Sequence, residues 1–233
     1  MFSLDELKEG KVFIIDKPLD WTSFDVVNKI RWNIRKTFKI KKFKVGHAGT
    51  LDPKATGVLV ICVGNFTKKI NEFMTEDKLY SGTLKLGATT ESYDTEQPEN
   101  AFFPINHITE EMILETAQKF EGPIQQLPPI HSAVKKDGKK LYQLARAGVE
   151  VEIQPRPVFI HYFKIIQIEF PVVHFQVKCS KGTYIRSLAH DFGLALDSGA
   201  YLTALRRLQS GDFHVEMADN SIFEPEFFGN FEE

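Results

Sequence analysis

The densest chemical signal in the chain is the run Gly46-His47-Ala48-Gly49-Thr50-Leu51-Asp52-Pro53-Lys54-Ala55-Thr56-Gly57. Three glycines and a proline constrain the backbone around one carboxylate, Asp52. A residue before proline is pushed out of the α region toward extended geometry, so the run predicts Asp52 in a defined turn. A carboxylate held that way can act as a covalent nucleophile. It can also do no more than close its own turn. The run contains neither G-x-x-x-x-G-K-[ST] nor G-x-G-x-x-G, so its glycines do not spell a nucleotide-phosphate cradle.

A second signal is charge. From Lys29 to Lys44 there are eight basic residues and no acidic one, whereas Asp212 to Glu233 holds seven acidic residues and no Lys or Arg. The net charge of −2 hides both runs. A further basic cluster comprises Lys135, Lys136, Lys139, Lys140 and Arg146. Such clusters can track nucleic-acid phosphates. They can also be plain solvated faces. Trp32, Phe38, Phe43 and Tyr142 are interleaved with them and tilt the reading toward RNA.

These residues need elements to position them. Lys11–Asp16 reads as a strand ended by Pro18. Thr22 or Ser23 is a helix cap, followed by Val26, Val27, Ile30 and Ile34 at helical spacing. Val45–Gly57 reads as a loop, Val58–Val63 as a buried strand and Thr67–Met74 as a helix. Leu79–Leu86 alternates as a strand, and Thr90–Pro104 reads as an exposed acidic loop. Thr109 caps the next helix. Gly122–Gly138 reads as irregular chain and Leu141–Ala147 as a short basic helix. Val158–Phe170 and Val172–Cys179 form an expected antiparallel pair about Pro171, and Thr183–Leu196 an amphipathic helix. Tyr201–Leu208 fits helix or strand. Strands and helices mix without strict alternation, which predicts an α+β fold around a mixed, mostly antiparallel sheet flanked by helices.

Composition bounds the rest. The chain has 233 residues, 42% hydrophobic and 26% charged, as ordinary globular proteins do. Phe is overused, with 20 copies, so the core should lean on it. The longest apolar runs fall far short of the roughly 20 residues of a membrane-spanning helix. The acidic start MFSLDELKEGK has no apolar core of a secretory signal. Cys62 and Cys179, the two cysteines, read as buried thiols of a reducing compartment, which predicts a cytoplasmic location.

The segment VGHAGTLDPKATGVL resembles the catalytic loop of the TruB-type tRNA pseudouridine synthases. Five further segments resemble that family's motifs in order: IDKPLDWTSFDVV, DKLYSGTLKLG, PPIHSAVKKDGKKLYQLARAG, CSKGTYIRSLAHDFG and GAYLTALRRLQSG. Together they span about residues 10–211. The resemblance implies a pseudouridine-synthase catalytic domain over 1–211 with an RNA-contacting insertion near 122–152. It leaves 212–233 as an acidic, Phe-rich tail with no room for the RNA-binding PUA domain many relatives carry.

Roles carry over residue by residue. The resemblance makes Asp52 the nucleophile and pairs Arg186 with it. It makes Tyr80 the ring that stacks on the flipped base, and His47 the residue that intrudes at the RNA loop to hold that base out. Tyr184 and Leu205 line the base pocket. Singly, each has an ordinary explanation: a polar loop histidine, core aromatics, a core leucine, a surface arginine. The joint match overturns these explanations. The implied activity is isomerisation of uridine 55 in the tRNA T-loop to pseudouridine. Nothing in that reaction is oxidised and no group is added, so neither cofactor nor metal is expected. The expected partner is the tRNA T-arm, with no membrane, no obligatory protein partner and a monomeric state. The alternative is a non-catalytic chaperone that binds and folds the T-arm.

Overall fold

The computed structural model describes residues 2–129, 135–136, 139–140 and 153–229. In chain order the helices are α1 (Leu4–Glu9), α2 (Ser23–Thr37), α3 (Ile70–Met74), α4 (Glu110–Lys119) and α5 (Ile185–Ala195). The strands are β1 (Lys11–Lys17), β2 (Val45–Ala48), β3 (Ala55–Val63), β4 (Lys78–Leu86), β5 (Ala88–Thr90), β6 (Glu99–Phe102) and β7 (Gly122–Gln126). They continue as β8 (Lys135–Lys136), β9 (Lys139–Lys140), β10 (Arg156–Glu169), β11 (Val172–Cys179), β12 (Ala200–Ser210) and β13 (Phe213–His214). The chain divides into two compact units, 1–80 with 206–233, and 81–205. The boundary falls within β4 and within β12.

In the first unit the sheet order is β1-β3-β12, with β2 also on β3 and β13 on β12. The β1·β3, β2·β3 and β12·β13 registers are antiparallel. Helix α2 opens with a reciprocal capping box: Thr22 Oγ1 accepts from Asp25 N–H, and the Asp25 carboxylate accepts from Thr22 N–H. Its apolar stripe, Val26, Val27, Ile30 and Ile34, packs with Ile15, Leu59, Ile61 and Val63. The acidic tail joins this core. Ile222 and Phe228 are buried in it, with Phe223 and Phe227 against it. Asn33, buried on α2, donates to Ile222 O and Phe223 O, and Asn220 exchanges two hydrogen bonds with the Asp16 main chain.

In the second unit the order is β12-β4-β11-β10-β7. The β10·β11 and β10·β7 registers are antiparallel. The core is built on Phe120, Phe163, Phe175 and Phe192, whose ring centroids lie 5.3–6.4 Å apart. This meets the expectation from Phe usage. Cys62 and Cys179 are both buried free thiols.

Four sequence expectations need correction. Val45–Gly57 is not all loop, because Val45–Ala48 pairs with Val60–Val63 as a hairpin arm. Thr67–Met74 is a 3₁₀ turn, Gly64–Lys69, followed by the short α3. Thr90–Pro104 is not an exposed loop. It contains β6, and Thr90, Ser92 and Asp94 are buried because they bond to one another and to Arg186. Gly122–Gln126 is a strand whose Pro123 is tolerated because β7 ends the sheet. Tyr201–Leu208 resolves as strand, within β12. In the expected insertion the described residues are 122–129, which hold β7, and the antiparallel pair β8 and β9; Leu141–Ala147 lies outside the described residues. No helix among the described residues is long and apolar enough to cross a membrane.

Candidate active site

Asp52 sits in the connection between β2 and β3, and the first unit fixes the main chain on both sides of it. Before it, Leu51 N–H donates to Ser23 Oγ at 2.9 Å and Ser23 Oγ donates back to Leu51 O at 3.1 Å. Ser23 is the first residue of α2 and is buried. After it, Pro53 O accepts from Asp20 N–H at 2.9 Å, and Lys54 pairs with the Asp20 carboxylate at 2.7 Å. Ala55 N–H donates to Asp52 O at 3.0 Å and closes the turn.

Two buried cations brace this frame. The Lys17 ammonium, at the end of β1, is fully buried and donates to Pro18 O (2.7 Å), Trp21 O (2.5 Å) and Pro53 O (3.4 Å). Burial pushes the Lys17 pKa down to about 8, while the nearby Asp52 carboxylate pulls it up. Three carbonyl acceptors match the three protons of an ammonium, which holds Lys17 charged at neutral pH. Arg207, on β12, donates through Nε to Val58 O at 2.7 Å and through Nη2 to Gly49 O at 3.0 Å. Gly57 allows that approach: its φ is +100°, and a Cβ there would lie 2.1 Å from Arg207 O. No side chain fits.

His47 lies on β2 opposite Ile61. Burial first, and the Arg207 charge second, hold its pKa below the usual histidine range, so the ring is neutral at pH 7. Its buried Nδ1 has no hydrogen-bond partner among the described residues. Tyr80, which ends the first of this unit's two segments, is buried on β4. The start of β4 is anchored by the Lys78 ammonium, which donates to Met74 O and Glu76 O.

In the second unit, Arg186 stands in the first turn of α5 with its side chain buried. Nη1 donates to Ser92 O at 3.0 Å, and Nε lies 3.6 Å from the equally buried Asp94 Oδ2. Asp94 Oδ1 accepts from Ser92 Oγ (2.6 Å) and from Glu96 N–H (2.9 Å), and Asp94 O accepts from Thr90 Oγ1 (2.7 Å). Between them Tyr93 adopts φ +62° and stacks on His190 with centroids 4.0 Å apart. The 90–94 turn is therefore built around the guanidinium. A buried charge with partners of this kind is costly to disturb, because removing one partner strands the other.

Tyr184 precedes α5 and is clamped by its main chain. Its N–H donates to Gln126 Oε1 at 2.7 Å, and Gln126 Nε2 donates to Tyr184 O at 3.1 Å. Ser187 Oγ adds a bond to Leu127 O at 2.7 Å. Leu205 is half-buried on β12, the last residue of this unit. The first unit thus groups His47 and Asp52 on one hairpin, and the second groups Tyr184 and Arg186 at one helix start. Tyr80 and Leu205 each stand on their own strand.

Sequence patterns alone did not single out Lys17, Arg207, Asp94 or Gln126, and they offered Ser23 only as a helix cap, not as the anchor of Leu51. Lys17 and Arg207 lie inside the motifs IDKP and RRL, which was the available signal. Asp94 was hidden in a polar stretch that reads as solvated.

Residues 35–185 match the description of the TruB family pseudouridylate synthase, N-terminal domain. A tRNA pseudouridine synthase B of Flavobacterium johnsoniae is 54% identical over 94% of this chain and 97% of its own length. One from Phocaeicola vulgatus is 52% identical over 90% of this chain and 89% of its own. Among solved structures, a chain of a Cbf5-Nop10-Gar1 complex is 33% identical with a TM-score of 0.66. The match covers 89% of this chain and 50% of that one, so this chain spans about half its length. A chain of an H/ACA RNP bound to a substrate RNA containing 2′-deoxyuridine is 29% identical with a TM-score of 0.63.

Proposed function

The chain belongs to the TruB family of pseudouridylate synthases, and from that membership we propose that it isomerises uridine 55 of the tRNA T-loop to pseudouridine. The reaction breaks N1–C1′, turns the uracil and joins C5 to C1′. N1 gains a proton and C5 releases one. Asp52 is the nucleophile. The observation that carries this reading is its frame: the residues on both sides of Asp52 are tied down by Ser23, Asp20 and Lys17, so the main chain that carries the carboxylate is set before substrate arrives. Such preorganisation lowers the entropic part of a barrier.

Arg186 is the guanidinium assigned to that carboxylate, keeping it ionised and oriented. Its own hold on Ser92 O and Asp94 supports a fixed role rather than a mobile surface one. The target base is extruded from its stack, at a cost of a few kcal/mol. Stacking on Tyr80 returns about 1–3 kcal/mol. His47, neutral and with an open ring nitrogen, keeps the base out, and Tyr184 and Leu205 line its pocket. The enzyme acts on tRNA as a monomer in the cytoplasm.

The test is release of tritium from [5-³H]uridine in unmodified tRNA. Wild type should release one equivalent, Asp52→Ala none while still binding tRNA, and a tRNA carrying cytidine at position 55 should yield none. Equal release by Asp52→Ala would overturn the assignment of the nucleophile. Tight binding by wild type with no release would favour a T-arm chaperone.

A further inference from the structure

A concave, basic cleft of about 500 Å³ lies in the first unit, lined by Arg31, Arg35, Lys41, Lys42 and Lys44. Its remaining lining is uncharged and includes Phe43, Val45, Gly46, Thr67 and Ile70. Arg31 is held in place, donating to Asn28 Oδ1 at 2.9 Å and to Val45 O at 3.1 Å. Arg35, Lys41, Lys42 and Lys44 make no ion pair among the described residues, and all four are exposed.

The backbone that carries them is set. Ile40 N–H donates to Arg35 O and Phe38 N–H to Ile34 O, ending α2, and Lys44 O accepts from Gly64 N–H. Five like charges converging on one hollow repel one another, at a cost in the free protein that an anion would offset. A solvated lysine face needs no hollow. Gly46, which lines the cleft, is followed directly by His47 on β2.

We propose that this cleft is a binding site for consecutive backbone phosphates of the substrate RNA, gripping the strand without reading its bases. The assignment rests on the tRNA reading above. Exposed lysines on flexible four-carbon stems suit phosphate neutralisation, and no acidic side chain lines the hollow to repel it.

The test is the triple variant Lys41→Gln/Lys42→Gln/Lys44→Gln against a charge-matched control, Lys8→Gln/Lys119→Gln/Lys164→Gln. Both are measured for thermal melting, for Kd toward unmodified tRNA across salt concentrations, and for the single-turnover rate at saturating enzyme. The cleft variant should melt like wild type and bind at least tenfold more weakly at physiological salt. Its plot of log K against log salt should be shallower by about two, since each phosphate contact contributes roughly 0.7–0.9 to the slope. The loss should be equal for tRNAs of different sequence, and the saturating rate should stay within twofold. A cleft variant with the Kd and slope of the control overturns the assignment. If wild type binds tRNA but releases no tritium, the catalytic reading falls and the cleft is still judged on Kd and slope. If wild type does not bind tRNA, both fall.

Discussion

The Gly46–Gly57 run and the Phe38–Lys44 segment are neighbours in the sequence and in the first unit, yet they treat polar groups in opposite ways. Around Asp52 the polar groups are committed: Ser23, Lys17, Asp20 and Arg207 each bind main-chain atoms of the loop or of β3. Along Lys41–Lys44 the charges are held on a fixed backbone without ion-pair partners among the described residues. A reacting carboxylate needs its geometry settled before substrate arrives, since misplacement of about 1 Å can cost a hundredfold in rate. A surface that neutralises a polyanion needs charge left over. The two regions should therefore fail differently: one in rate, the other in affinity and salt dependence.

The strongest break in this contrast is at Asp52 itself. Asp52→Asn keeps the shape of the side chain and removes the charge, so tritium release should fall by at least about 10³-fold, roughly 4 kcal/mol of barrier. Its tRNA affinity should remain within threefold. A parallel loss of affinity would mean that loop and cleft are not separable functions.

The next effect is structural. Gly57→Ala places a methyl group 2.1 Å from Arg207 O at a φ of +100°. Left-handed backbone costs about 1–2 kcal/mol for a non-glycine residue, and overpacking another 1–3. Urea denaturation should show a loss of about 3 kcal/mol or more. A variant as stable as wild type would show that the β3–β12 pairing beneath the loop is pliable.

Much of this architecture was legible in the sequence, and the boundary has a physical cause. Helical spacing at Val26, Val27, Ile30 and Ile34 marked α2, because local periodicity reports which face is buried, and two strand-like runs separated by Pro171 marked β10 and β11. The order of the six motifs marked the family. The buried ends of the network were not legible. Asp94 looks like any acidic loop residue until Arg186, 92 residues later in the chain, is placed against it. Lys17 looks exposed until three carbonyls close over it. Long-range satisfaction of a polar group leaves no periodic trace.

A milder probe of the loop is Ser23→Ala. It removes both bonds to Leu51 and leaves a buried N–H unpaired, which costs about 1–3 kcal/mol of stability. Because Leu51 adjoins Asp52, kcat should fall roughly tenfold to a hundredfold with little change in KM. Thr22→Ala separates this from weakening of α2: it removes the helix cap, costs about 1 kcal/mol, and should leave kcat near wild type. Equal losses of kcat in both variants would reduce Ser23 to a helix-stability residue.

The smallest effect is a pH dependence carried by Lys17. Its pKa in the folded chain is pushed down to about 8, below the ordinary lysine value of about 10.4 in the unfolded chain. Between those values the unfolded chain binds more protons than the folded one, so stability contributed by this group rises as pH rises through that window. Below about pH 8 both forms are charged, and the burial penalty is carried in full. From pH 8 to 9 the increment is at most about 1 kcal/mol, since one pH unit of linkage for a single group is 1.36. Urea titrations at pH 7, 8 and 9 on wild type and Lys17→Met isolate it: the difference between the two proteins should shift in favour of wild type as pH rises. A difference that stays constant across that range would mean the three carbonyls hold the ammonium charged well above pH 8. The loop frame around Asp52 would then be fixed by charge from pH 7 to 9.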